Sequence, residues 1–467
     1  MNKRNQESSK NKYHDDSSDE ELEDAYQNAF MSSLKFLSKK KPTQQNILDE
    51  GKKPIENKIE NAFMSSLKML SKKKPIQQNI SDEEKRKPTE NRIEFVKNLL
   101  SSNVLKPMID FDNFDTETAT SSSLNKKIIS ATNLFTSMNV KLKYLKSGTT
   151  GHTFKAISKT DKDVAFAVKV CAYPKDDYGS MNNMARPENA ELRMLRLLSL
   201  FVVKKWTPHF VIPIGTFNTR IKHFINFKKT DIDLDDEKNE MYKKFIERYY
   251  NEEYEDFVSV LISEWCNGGD LLEYIRKNHE SMKLKHWVVI IFQILYTLAR
   301  VQIIHPSFRH NDMKANNILV QLTNIRPDWA YGYSIGKTQF RIPNINLQIK
   351  IWDFDFACIS GIIDNNKVDA DWTKKINITS KQNKYYDMHY FFNTLTLKKF
   401  FPKFYEGGVP PEIVDFVHRI IPERYRNGSK HINKKGRILV NDEFTTPYKV
   451  IMTDPLFEKY RFHHPVC

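Results

Sequence analysis

Within the run His310-Asn311-Asp312-Met313-Lys314-Ala315-Asn316-Asn317-Ile318-Leu319-Val320, a carboxylate at Asp312 is followed five positions later by the amide of Asn317. A second carboxylate, Asp353, follows the strand-like run Leu347 to Trp352 in Ile351-Trp352-Asp353-Phe354-Asp355. Such groups have a definite chemistry. One Asp can orient an attacking hydroxyl, while the Asn and the second Asp offer oxygens to metal ions that screen phosphates, which is the donor set of phosphoryl transfer. A single Asp-to-Asn spacing is a common accident in a loop beside strands. Two such motifs in this order, each next to an apolar run, are far more specific.

The elements that must position these groups are legible upstream. Alternating runs at Val140 to Leu145, Thr153 to Ile157 and Val164 to Val170 predict antiparallel strands. Asn189 to Phe201 has helical apolar spacing, Phe257 to Ser263 reads as another strand, Leu271 to Asn278 as a helix start and Trp287 to Val301 as a buried helix. The charged stretches Asn218 to Asp256 and Gln321 to Asn344 read as insertions. Lys169 sits in an apolar strand, Phe166-Ala167-Val168-Lys169, where an ammonium needs a partner to offset desolvation. Glu191 on the following helix is the preferred partner, with Glu188 as runner-up.

These motifs, spanning about residues 140 to 395, resemble those of the eukaryotic-type serine/threonine protein kinases. The resemblance implies an α+β, bilobal protein-kinase-like fold, with a β-rich N-lobe, a helical C-lobe and a largely disordered N-terminal tail. It implies ATP and Mg2+ as cofactors, with Mn2+ as a substitute, and protein Ser/Thr residues as substrates. In Leu145-Lys146-Ser147-Gly148-Thr149-Thr150-Gly151 it makes Gly148 and Gly151 the surviving glycines of a phosphate-covering loop, Lys146 standing at the first glycine position. It makes Lys169 the phosphate-gripping lysine, paired with Glu191. Backbone groups of Glu264 and Cys266 become the adenine-binding hinge, Ser263 a small gatekeeper, and Asp270 a ribose ligand or a helix cap. Asp312 and Lys314 become catalytic, Lys314 neutralising the transferred group; Asn317 and Asp353 become the metal ligands; Asp387 braces the catalytic loop from below.

Three departures stand out: Asn311 replaces the usual Arg, Asp355 replaces the Gly after Asp-Phe, and no clear APE segment follows. With Asn311, the loop from Cys358 to about Lys384 is expected to reach its active arrangement by packing, of Trp372 for instance, without obligatory phosphorylation; Arg309 could reach the same space. Together with Lys384-Tyr385-Tyr386-Asp387, the departures resemble the virion-associated kinases of poxviruses and other large cytoplasmic DNA viruses, which implies packaging in virions and presence in host cytoplasm. Two alternatives stay open. His310-Asn311-Asp312 and Asp355 also resemble the choline and ethanolamine kinases, and a binding-only pseudokinase scaffold would use the same fold.

The expected domains are a low-complexity tail, 1–135, and a kinase domain, 136–467, divided into N-lobe 136–263, hinge 264–270 and C-lobe 271–467. The tail carries a tandem repeat at about 28–57 and 61–91: NAFMSSLKFLSKKKP from Asn28 returns as NAFMSSLKMLSKKKP from Asn61, a period of 33 residues. Each unit has one short apolar stretch, too little to bury a solenoid core. It reads equally as a bivalent docking or acidic-surface element and as a duplicated, solvated linker. The chain is 467 residues long with 40% hydrophobic content and a formal net charge of +15, which favours acidic partners without choosing among them; no specific nucleic-acid motif is found. The four cysteines, Cys171, Cys266, Cys358 and Cys467, form no close pair in sequence, so neither a disulfide framework nor a zinc site is suggested. The most apolar stretch, Trp287 to Leu298, reads as shorter than the ~20 residues of a membrane span, so a soluble protein is expected.

Overall fold

A computed structural model describes residues 92–97 and 105–463, apart from 125, 149–150, 163, 176–177, 228–231 and 326–328. Both copies of the repeat, with the docking and linker readings attached to them, lie outside the described residues.

Five antiparallel strands form one sheet in the order β1-β2-β3-β5-β4: β1 (Val140–Ser147), β2 (His152–Ser158), β3 (Ala165–Pro174), β4 (Pro213–Arg220) and β5 (Tyr254–Glu264). The central strand β3 is almost wholly apolar, AFAVKVCAYP, because both its faces are covered. One face carries α4 (Pro187–Val203), which starts with Pro at its first turn and buries Leu192, Leu195 and Leu198; on the other, Phe154, which β2 sets opposite Val168 of β3, packs against Phe224 and Tyr242. The charged stretch after β4 yields α5 (Glu240–Tyr250), whose Tyr242 and Phe245 pack on the His152 ring, with centroids 4.9 and 4.2 Å away.

The lower half is built around α7 (Leu284–Ile304), which follows α6 (Leu271–Asn278). By length and composition α7 could cross a membrane, longer than its core run suggests; yet 89% of its most apolar window is buried inside the protein, against α9 (Pro411–Ile420) and α10 (Pro447–Thr453). A helix apolar all round is what a core position demands. Beside it, β6 (Ile318–Leu322) and β9 (Leu347–Ile351) pair antiparallel, Ile318 opposite Ile351. That register sets Asn317 next to Trp352, whose amide donates to the Asn317 carbonyl at 3.1 Å, and so brings the two metal-ligand candidates of the sequence side by side. The insertion between them folds as a hairpin, β7 (Ala330–Ile335) and β8 (Thr338–Pro343), joined by β10 (Arg461–His463). Its Tyr333 hydroxyl meets the buried His209 Nε2 at 2.9 Å.

The expected tail boundary at 135 differs from what is found. A short helix at 92–97, α1, is followed by α2 (Thr116–Thr120) and α3 (Ala131–Ser137), and Val96, Leu105, Ile109, Phe114, Leu124, Leu134 and Phe135 are all buried. Leu105 lies over Gly215, where any Cβ would collide with it at 2.5 Å. Lys126 reaches Asn189 Oδ1 at 3.1 Å and Ser259 Oγ at 2.8 Å, and Arg196 donates to the Ser123 carbonyl at 2.6 Å. This strip wraps the lobe without regular structure over most of its length, so its apolar residues carry no period that a sequence reading could detect.

Arg92 is the strip's most informative side chain. Its fork grips the Glu264 carboxylate at the end of β5, with Nε to Oε2 at 2.9 Å, and also donates to the carbonyls of Pro208 (3.0 Å) and Phe210. Burial works against the Glu264 charge, but the Arg92 guanidinium outweighs it and lowers the carboxyl below its ordinary range. Arg92→Ala leaves that buried carboxylate without its fork and is expected to cost about 3 kcal/mol in denaturant unfolding. The double variant Arg92→Met, Glu264→Met should recover most of the loss; a double variant as unstable as the sum of the single changes would contradict this account.

Candidate active site

Lys169 Nζ is shared between Glu191 Oε1 at 2.6 Å and Asp353 Oδ1 at 2.8 Å. Its side chain is only 8% exposed. Burial opposes the ammonium, yet Asp353 and Glu191 more than offset this and hold its pKa well above the usual lysine value. One cation cannot serve two carboxylates equally. Burial also opposes the Asp353 charge, but Lys169 holds that carboxyl below its ordinary range, whereas burial wins at Glu191 and pushes its carboxyl up. The runner-up, Glu188, pairs with Arg186 at 3.4 Å instead.

Above the lysine, the β1–β2 hairpin is closed by the Gly148 amide donating to the Gly151 carbonyl at 2.8 Å. At Gly151 an added Cβ would lie 3.1 Å from Lys169 Cε and 2.9 Å from Cys171 Sγ, so glycine here leaves the lysine its place. Lys146 spans the cleft to Asp270 Oδ2 at 3.3 Å. Asp270 Oδ1 caps α6 by accepting from the Glu273 amide at 3.0 Å, which realises the capping role expected for it. At the hinge the Glu264 side chain points away to Arg92, Cys266 is buried with its thiol pushed up to about 12, and Ser263 is buried behind it. Gly268 and Gly269 exchange 2.8 Å backbone bonds with Val320, and a Cβ at Gly268 would strike Val320 at 2.6 Å.

The catalytic-loop candidates hang from Asp387 in α8 (Tyr386–Leu395). Its two oxygens each accept a backbone amide at 2.8 Å, from His310 and Asn311, as the bracing role requires. His310 Nε2 lies 3.0 Å from the Trp352 carbonyl, and its ring packs on Phe354 at 5.1 Å, so the two motifs lock together. Asn311 and Asp353 both hold left-handed backbone, φ 63 and 64, a conformation Asn and Asp tolerate better than most residues. Asp312 Oδ2 receives Lys314 Nζ at 2.8 Å and Asn317 Nδ2 at 2.8 Å; Asn317 Nδ2 also donates to the Asp312 carbonyl at 2.9 Å. Thus Lys169, Asp312, Lys314, Asn317 and Asp353 converge on one cleft. Arg437, outside every sequence motif, bonds Asp312 as well.

The segment after Asp353 explains the departures. Asp355 pairs with Lys367, whose ammonium lies 4.1 Å over the Phe356 ring, and Asn365 Nδ2 donates to the Asp355 carbonyl at 2.9 Å. The Asn311 amide donates to the carbonyls of Phe356 (3.0 Å) and Thr379 (3.2 Å), pinning both ends of the segment. Arg309 is buried against the Tyr386 ring at 3.8 Å and spends its fork on the Asn377 carbonyl (2.7 Å), Thr379 Oγ1 (3.0 Å) and the Lys381 carbonyl (3.2 Å). The segment's core is Cys358, Val368 and Ile378, with Phe356 and Ile376 against it. Trp372, expected to supply that packing, only touches Phe356 edge-on at 6.0 Å and is 51% exposed.

The residues Asp353 and Asn317 fit a small divalent cation. Bonding to Asp312 through its Nδ2 frees the Asn317 amide oxygen, and the Asp353 side chain is 36% exposed towards the cleft with one oxygen not used by Lys169. Among the described residues there is no group of three or more His, Cys, Asp and Glu able to hold a metal alone. Few protein ligands, all hard oxygens, suit an ion that shares its shell with phosphates.

Sequence comparison agrees with this geometry. Residues 240–378 match the family profile described as protein tyrosine and serine/threonine kinase. Two similar proteins come from Acanthamoeba polyphaga mimivirus. One, named "Putative serine/threonine-protein kinase R400", is 66% identical over 383 residues, 81% of this chain and 82% of that protein. Another, named "Putative serine/threonine-protein kinase R301", is 28% identical over 190 residues, 37% of this chain and 47% of that protein. With the lysine, the two aspartates and the braced loop in place, the chain belongs to the serine/threonine protein kinases.

Proposed function

We propose that this kinase moves the γ-phosphoryl group of Mg-ATP to Ser or Thr hydroxyls of proteins, using Asp312 as the hydroxyl-orienting base. The observation that carries the reading is the meeting of Lys169, Asp353, Asn317, Asp312 and Lys314 in one cleft, each with the partner its role needs. Lys169 holds the α and β phosphates through a charge that Glu191 keeps aimed. Asp353 and Asn317 would hold Mg2+, which when bound screens the phosphate charge. Asp312 accepts the hydroxyl proton as the oxygen bonds to the γ phosphorus; the bond to the β,γ-bridging oxygen breaks, and ADP leaves with its electrons. Lys314, beside Asp312, meets the charge that builds on the transferred group. Presence in virions and host cytoplasm belongs to the same proposal, and the viral source of both relatives supports it.

Asp312→Asn should lower kcat on a Ser/Thr peptide by about 10²-fold or more, as expected when a positioned base is lost. Asp353→Ala should abolish transfer in a protein that still melts cooperatively, at a somewhat lower temperature because Lys169 loses one partner. Labelled ATP should mark casein or a Ser/Thr peptide and leave choline unmarked. Transfer to choline, or a well-folded Asp353→Ala with near-wild-type turnover, would contradict the proposal.

The same geometry supports activity that is independent of activation-segment phosphorylation. Asn311 is neutral and already bonded at both ends of the segment, and the Arg309 fork is committed to it, so neither offers a bidentate phosphate site. Protein made in bacteria should keep its peptide activity within about twofold after phosphatase treatment, since no phosphate-held segment has to be rebuilt. A loss restored by autophosphorylation at Thr373, Thr379 or Ser380 would overturn this.

A further inference from the structure

Arg437 stands 125 residues from Asp312 in sequence, in the connection between α9 and α10, and is 5% exposed. One terminal nitrogen bonds Asp312 Oδ1; the other bonds the Asn311 carbonyl and the Tyr386 hydroxyl, the latter at 3.1 Å. The guanidinium lies 4.0 Å over the Tyr390 ring. Its backbone is fixed as firmly. Gly436 turns the chain with φ 84 and its carbonyl accepts Asn393 Nδ2 at 2.9 Å, while Asn433 Oδ1 accepts the Arg437 amide at 3.0 Å. The next residue, Ile438, accepts Asn377 Nδ2 of the activation segment at 2.9 Å.

We infer that Arg437 is a positioning residue, which sets the rotamer of the catalytic Asp312 and ties it to the activation segment. A carboxylate offers about four acceptor sites. Lys314 and Asn317 converge on Oδ2 and Arg437 takes Oδ1, so three are filled and the carboxylate plane is fixed, leaving one direction for the substrate hydroxyl. Without the guanidinium, Oδ1 has no donor among the described contacts and the side chain can turn about its Cα–Cβ bond. The inference rests on the reading of Asp312 as the hydroxyl-orienting group. It adds that the orientation is imposed from outside the catalytic loop, by a segment that also anchors the activation segment through Asn377.

Steady-state kinetics of the full-length protein on a Ser peptide test it. Arg437→Met should lower kcat about 30-fold, the scale of a misplaced reacting group, with KM for ATP and peptide changed by less than about twofold. Arg437→Lys, which keeps charge and packing but not the fork, should lower kcat about tenfold, and it carries the test should the methionine variant not fold. Methylguanidinium in the assay should restore part of the kcat of Arg437→Ala and none of that of Asp312→Asn. Full or raised kcat in a folded Arg437→Met or Arg437→Lys would overturn the inference, a rise marking the contact as inhibitory; so would a kcat of Arg437→Ala that methylguanidinium leaves unmoved. A wild type that binds ATP but marks no peptide would instead fail the functional reading, and the wild-type arm alone shows that.

Discussion

A single ammonium, Lys169, buried between two carboxylates, is the constraint on which the rest of the structure depends. Unpaired, it would be among the most costly groups in the sheet, because desolvation of a charge is repaid only by close, well-aligned partners. Its partners come from two places: Glu191 on α4 and Asp353 at the end of β9. The helix must therefore lie against the sheet, and β9 must be in register with β6, for the lysine to be tolerated at all. The sharing is unequal, with Asp353 held charged and Glu191 left with the weaker claim. On the proposed reading, a cation would draw on Asp353 and the phosphates on Lys169, the same groups that pair with each other across the cleft.

The catalytic loop is held in a similar spirit, by groups that serve one purpose each. Asp387 takes two backbone amides, Asn311 fastens the activation segment at both ends, and Arg309 is spent within that segment. Asp355, where a glycine is usual in the family that this chain resembles, is compensated by Lys367 close by in sequence. An acid in place of glycine demands a cation, and an amide in place of arginine gives up phosphate recognition in exchange for two carbonyl contacts.

Much of this was legible from the chain because the residues concerned are short-range in sequence or fixed by strand alternation. Lys169, Asp312, Lys314, Asn317, Asp353 and Asp387 lie in compact motifs, and the choice of Glu191 over Glu188 followed from its place on the helix. Three things were not legible. Arg92 and Arg437 act over 172 and 125 residues, and nothing local distinguishes them from the many other cations of a chain with 73 Lys and Arg. The strand β4 was missed because its polar residues are buried by the wrapped strip, not exposed as its sequence suggests. The strip at 105–135 reads as tail from sequence because its apolar residues are spaced to follow a curved surface and share no helix or strand period. Long-range, aperiodic contact is what a reading of one sequence cannot see.

The most direct test of the central claim is calorimetric titration of ATP into the wild-type protein and Lys169→Met, each with magnesium and with the metal chelated. On the proposed reading, affinity in the wild type should fall about tenfold or more when magnesium is removed, because the phosphates would lose the ion that Asp353 and Asn317 are proposed to hold. Lys169→Met should bind Mg-ATP markedly more weakly than the wild type while melting as a folded protein. Equal wild-type affinity with and without the metal, or unchanged affinity in Lys169→Met, would contradict the account.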